Sequence, residues 1–225
     1  MAYPQVRNLD WSKIRDKNTK AFLVHVVNTL RDADVTLKLS NTKTVLVEGT
    51  IRCSGTFDEE GRELAIAIRK SPRRWLEILV HEFGHFEQWR YDMPTWREAY
   101  YRSEDASGML DEWLNHTRKL DGRILAIVLA KTIDVEVNCE RRAIEIIKRF
   151  SLPINIQRYC QRANSYLNLY NWAALRQRWC PGTKPPYSVR EIVDAMPSLL
   201  QNDYHTITPE LVFLYDKYYL KGGRK

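Results

Sequence analysis

Between residues 71 and 91 the chain reads SPRRWLEILVHEFGHFEQWRY, and this stretch constrains the fold more than any other. Ser71 is a residue type that caps helices, and Pro72 suits the first helical position, where its missing N–H is not needed. Trp75, Ile78, Leu79 and Phe86 recur at helical spacing, so the segment is expected to be a helix with one buried face. Residues four apart on a helix point the same way. His81 and His85 can therefore aim both imidazoles at one ion, with Glu82 one step round. Gly84 costs a helix about 1 kcal/mol relative to alanine, which makes sense where another backbone or a substrate must approach closely. The bland alternative is a surface helix that two half-exposed histidines merely decorate.

The rest of the chain arranges itself around that helix. Residues 19–34 show Phe22, Val26 and Leu30 on one helical face. VTLKLS, TVLVEGTI, CSGTFD and ELAIAI follow, β-rich runs broken by turn residues, which predict an antiparallel meander of three or four strands. Beyond Ser71 almost no strand signal remains: helical patterns cover 109–120, 123–150, 154–179, 189–196 and 209–220, with CPGTKPPYS at 180–188 as the clearest loop. The expected fold is α+β, a small antiparallel sheet packed on the motif helix and a mostly helical C-terminal half. A single domain over 1–225 is the simplest organisation, with a helix and sheet in 1–70, metal-site helices in 71–180 and a helical extension in 181–225.

Composition narrows the setting. No apolar leader opens the chain, and ILAIVLA at 124–130 is too short to cross a bilayer, so a cytoplasmic protein without a membrane partner is expected. Cys53, Cys139, Cys160 and Cys180 are widely spaced and form no C-x-x-C pair, which predicts reduced thiols. The net charge of +7 leaves nucleic acid open as a partner, although Lys and Arg are dispersed and the KGGRK end reads as a solvated terminus. Tyr159, Tyr166, Tyr170, Trp172 and Trp179, with Arg158 and Arg162 between them, would suit stacking on single-stranded nucleic acid or, more simply, core packing.

In an H-E-x-x-H helix of a zinc peptidase the two histidines bind Zn²⁺ and the glutamate takes a proton from metal-bound water. A catalytic zinc needs a third protein ligand and one open position. His25 falls on the apolar face of its helix and is expected in the core or at its boundary, while His116 and His205 are weak candidates. Two acids stand on the stripe of TIDVEVNCERRAIEII: Glu136 and Glu140, four apart and flanked by Ile133, Val137, Ile144 and Ile147. One of them as ligand and the other as its partner would repay their burial. Pairing with Arg123, Arg141 or Arg142 on a solvated face is the alternative, and Glu145 reads as a surface charge.

HEFGHFEQW together with DVEVNCERRAIEIIKRF and YCQRANSYLNLYNW resembles the zincin metallopeptidases, in particular gluzincins and metallopeptidase-like proteins of tailed phages, over roughly residues 44 to 180. The resemblance implies a zinc-dependent hydrolysis of peptide bonds, with His81 and His85 as ligands and Glu82 as general base. It favours Glu136 as third ligand, with Glu140 orienting a histidine, and it implies a host-cytoplasm setting if the protein is phage-encoded. It also implies that ELAIAI is an edge strand for an extended peptide, and it makes Tyr91, Tyr170 and His205 candidates for stabilising the transition state. The competing expectation is a zincin-shaped binding or regulatory protein without catalysis.

Overall fold

The computed structural model describes residues 6–47 and 51–220. The architecture is α+β and about 58% helical, with small sheets. Two compact units emerge, one of Met1–Met93 and Cys139–Asn155, the other of Pro94–Asn138 and Ile156–Lys225. The chain therefore passes between units at other places than the divisions expected at 70 and 180.

The first unit opens with α1 (Lys17–Asp32), whose N-terminus is capped by Asp16: its carboxylate accepts from the Thr19 N–H at 2.6 Å. Phe22, Leu23, Val26 and Leu30 are its buried stripe. Five strands follow: β1 (Thr36–Ser40), β2 (Val45–Val47), β3 (Ile51–Cys53), β4 (Gly55–Asp58) and β5 (Glu63–Ala67). Part of TVLVEGTI, residues 48–50, lies outside the described residues.

The expected antiparallel meander is corrected here. The main sheet has the order β1-β5-β4, with β5 parallel to β1 and antiparallel to β4, while β2 and β3 form a separate hairpin. The long connection through β2, β3 and β4 is what allows β1 and β5 to run parallel, since a tight turn could not. A second correction follows from the same order. ELAIAI is the central strand, buried from Leu64 to Ala67 and bonded on both sides, so its backbone has no edge to offer a peptide. β4 takes an outer position instead.

The motif helix, α2 (Pro72–Tyr91), packs on β4 and β5. Ser71 stands at the N-cap and Pro72 in the first turn as expected, but the Ser71 hydroxyl makes no capping bond. Phe57 of β4 meets Phe86 and Trp89 of α2 at ring separations of 5.7 and 5.6 Å. A β-carbon at Gly55 would stand 2.6 Å from Ile78 Cγ2 and 2.9 Å from Glu82 Cγ, so only glycine lets this strand lie so close to α2.

The remaining helices are α3 (Met93–Glu98), α4 (Ala106–Leu114), α5 (Gly122–Arg149), α6 (Ile156–Arg176), α7 (Arg190–Asp194) and α8 (Pro209–Tyr219). The last part of α5, from Cys139, belongs to the first unit and lies against α2 at Gly84. A β-carbon there would be 3.0 Å from Cys139 Sγ and 3.2 Å from its carbonyl oxygen, so the close approach expected of Gly84 is to a second helix backbone. Phe22 closes this core, meeting Phe83 edge to face at 5.9 Å and the tilted ring of Phe150 at 5.2 Å.

The second unit packs α4, the first part of α5, α6 and α8 around Trp172, Tyr215, Leu110 and Val128. It also holds two elements with no sequence signal, α3 and a two-residue hairpin pairing Tyr100–Tyr101 with Glu104–Asp105. Among the described residues no helix is long and apolar enough to cross a membrane. The KGGRK end lies outside the described residues.

Candidate metal centre

Helical spacing puts His81 and His85 on one side of α2, with ring centroids 4.8 Å apart and planes at 90°. Both rings are half-buried, while Glu82 beside them is 8% exposed. On this face His81 meets Cys139 and Glu140 of α5.

Two oxygens meet the two rings. Glu140 Oε1 of α5 lies 3.2 Å from His81 Nδ1, and Gln88 Oε1 of α2 lies 2.8 Å from His85 Nδ1. A carboxylate or amide oxygen only accepts, so these contacts suit a ring with its proton on Nδ1, which in the neutral form leaves the lone pair on Nε2. In that tautomer Nε2 is the nitrogen each ring would offer to a metal. Burial pulls the His81 pKa down, but the neighbouring Cys139 and Glu140 outweigh burial, and the ring sits well above the usual histidine value.

Cys139 is the residue that sequence reasoning missed. A nitrogen of each ring and Cys139 Sγ lie within 4.8 Å of one another, close enough to share an ion. The thiol has two other relations, however: it donates to the His81 carbonyl at 3.1 Å and stands 3.7 Å from His81 Nδ1. That is the side of the ring on which Glu140 lies. Cys139 therefore both packs against the His81 ring and stands as the third group within reach of an ion at the two histidines.

Glu82 faces the sheet. Its Cγ and Oε1 approach Gly55 of β4, and its charge joins burial in pushing the Cys53 thiol up to about 11. The carboxylate is thus held beside an outer strand and next to the two histidines. Around it, Arg142 of α5 is bonded to Asp92 at the end of α2, and Arg149 reaches Glu87 at 2.8 Å, so two ion pairs tie these helices together.

The other expected residues are placed as follows. Glu136 precedes Glu140 by one turn of α5 and belongs to the second unit, where its charge helps raise the pKa values of the already buried Tyr166 and Tyr170. His25 is packed between Phe150 and Phe83, a boundary residue as expected. His116 is exposed with positive φ at the end of α4, and His205 pairs with Asp134 at 3.1 Å on the surface of the second unit. Tyr91 is 64% exposed and Tyr170 is buried. Glu145 is exposed, as expected.

No family model matches this chain, and no curated protein or solved structure does. The reading therefore rests on geometry. The aromatic run offers no stacking platform at its centre: Tyr159, Tyr170 and Trp172 are buried, and Tyr166 and Trp179 pack against the core of the second unit.

Proposed function

We propose that the first unit carries the centre of a zinc-dependent hydrolase acting on peptide bonds. The observation that carries this reading is the pair of oxygens on the two Nδ1 atoms, since a side chain that fixes the tautomer of a histidine is characteristic of metal ligands. A helix that only decorated a surface would not bury a glutamate between two histidines and hold each ring by a separate acceptor.

Two imidazoles and an adjacent carboxylate suit zinc, which when bound lowers the pKa of a coordinated water to about 7. The work of the chain follows from where its groups lie. His81 and His85 would hold the ion, and Glu140 keeps the His81 ring turned. Glu82 accepts the proton of the attacking water and returns it to the leaving amine. β4, on an outer position of the sheet beside Glu82, is the strand against which an extended peptide would lie.

The test uses the full chain loaded with zinc and a quenched fluorescent peptide library. Cleavage reversed by a chelator, and lost in Glu82→Gln with metal content unchanged, is the expected result. Cleavage that persists in Glu82→Gln would refute the role of that carboxylate, and a purified protein that takes up no zinc would refute the site. Metal content of Glu136→Ala and Glu140→Ala, measured separately, then names the acid that completes it.

A further inference from the structure

We propose that Gln88 is a positioning residue for the metal site, holding His85 in the tautomer and orientation in which it binds. The inference rests on the metal-site reading above but concerns a residue outside the H-E-x-x-H motif, and it can be read without metal. Gln88 follows His85 by three positions, so helix geometry brings the two side chains together on one face. It is fully buried at 0% exposure, and its Oε1 stands 2.8 Å from His85 Nδ1.

Burying a glutamine is costly unless its amide is satisfied, and a leucine or methionine would fill the same volume of an apolar contact without that cost. The amide oxygen is placed where it can serve His85 as an acceptor. Its neutrality is also informative. His81 has an anionic partner in Glu140, and Glu82 is a second buried carboxylate on the same helix as the two histidines. A third carboxylate in this space would add another buried charge, whereas an amide oxygen fixes the His85 ring without one. The two ligands are thus held by partners of different charge, a carboxylate on His81 and a neutral amide on His85.

The experiment is nitrogen-15 NMR of the histidine rings in the metal-free full chain, followed by zinc titration against a competing chelator. Wild type is expected to show His85 protonated on Nδ1. Gln88→Met, which keeps the volume and removes the acceptor, should lose that preference and weaken zinc binding about 10–100-fold. Gln88→Glu, which restores an acceptor, should recover the Nδ1–H tautomer and bind zinc at least as tightly as wild type. A purely structural role predicts instead that both substitutions alter thermal unfolding while the tautomer stays as it was. An Nε2–H tautomer in wild type overturns the proposal directly, even if Gln88→Met fails to fold. So does a Gln88→Met protein with the wild-type tautomer and zinc affinity. If wild type shows the Nδ1–H tautomer that Gln88→Met loses, yet binds no zinc, the orienting contact stands and the metal-site reading fails.

Discussion

The two units bury polar groups of different kinds. Among the described residues, the buried polar side chains of the first unit include three carboxylates, Glu77, Glu82 and Glu140; those buried as a whole in the second are Thr132, Asn164, Ser165, Asn168 and Asn171, all neutral, beside one buried carboxylate oxygen of the partly buried Glu136. Asn164, Asn168 and Asn171 form one face of α6 and clasp the strand-like segment after α7. Asn164 Nδ2 donates to the Pro197 and Leu199 carbonyls at 2.8 Å each, and Asn171 Nδ2 donates to Tyr204 O at 2.6 Å. Such amides fix a chain path, because each would cost free energy if left unmade. Buried carboxylates have a different logic. Glu77 is bonded to Arg74 at 2.8 Å and Glu140 lies on His81, arrangements that keep a charge where packing alone would not put one. Neutral polar burial here fixes a chain path, whereas the buried carboxylates each carry a charge that the fold must offset.

The sharpest way to break that contrast is to remove one group of each kind. Glu82→Gln should lower turnover on a cleaved peptide by about 10²–10⁴-fold, the usual worth of a general base, while metal content and unfolding temperature stay near wild type. Asn164→Ala should do the reverse. It strands the Pro197 and Leu199 carbonyls and the Tyr204 hydroxyl that donates to Asn164 Oδ1, at about 1–3 kcal/mol for each group left buried and unsatisfied. Denaturant unfolding should register the loss, and zinc stoichiometry in the folded fraction should not change. An Asn164→Ala protein of full stability, or one that no longer takes up zinc while folded, would dissolve the distinction between the units.

A smaller effect is expected where the motif helix meets α5. Gly84→Ala gains about 1 kcal/mol of helix propensity, but the new methyl would press on Cys139 Sγ and on the Cys139 carbonyl oxygen. The carbonyl is backbone and cannot swing aside, and overpacking of this sort costs about 1–3 kcal/mol, so the balance should be destabilising. Because the displaced helix carries Glu140, zinc affinity should fall together with stability. Calorimetric unfolding and a chelator-competition titration would check the two; an alanine variant more stable than wild type would show that α5 can yield.

How much of this could be read in advance depends on whether the signal was local. The motif helix was legible because capping, apolar spacing and the two histidines all lie within one stretch, and its observed bounds, Pro72–Tyr91, follow them. Strand order was not legible. Alternation identifies β5 as a strand, but nothing in ELAIAI says that its neighbours are β1 and β4. Glu140 was legible only as one of a pair, since Glu136 shares its spacing; contact with His81 is what distinguishes it. Gln88 and Cys139 were invisible for opposite reasons. A glutamine on an amphipathic helix reads as solvated, and a cysteine beside valine and isoleucine reads as core, so only three-dimensional neighbours reveal what each touches.

The smallest expected effect concerns His25, which extends the contrast to a titrating group outside the metal centre. Burial against Phe150 and Phe83 lowers its pKa, Arg149 lowers it further and Glu87 opposes both. Above pH of about 6.5 the ring is neutral in folded and unfolded chains alike, and the folded state keeps its full stability. As pH falls from there toward the lowered folded value, the unfolded chain takes up a proton that the folded one resists, so stability declines. His81, with its raised pKa, contributes in the opposite direction, stabilising the metal-free fold as pH falls. The two are separated by substitution. In the metal-free protein, His25→Leu should flatten the acid side of a plot of denaturation midpoint against pH and leave the His81 contribution in place. An unchanged acid limb in His25→Leu would mean that the ring accepts its proton within the fold, and that its packing between two phenylalanines imposes no charge constraint.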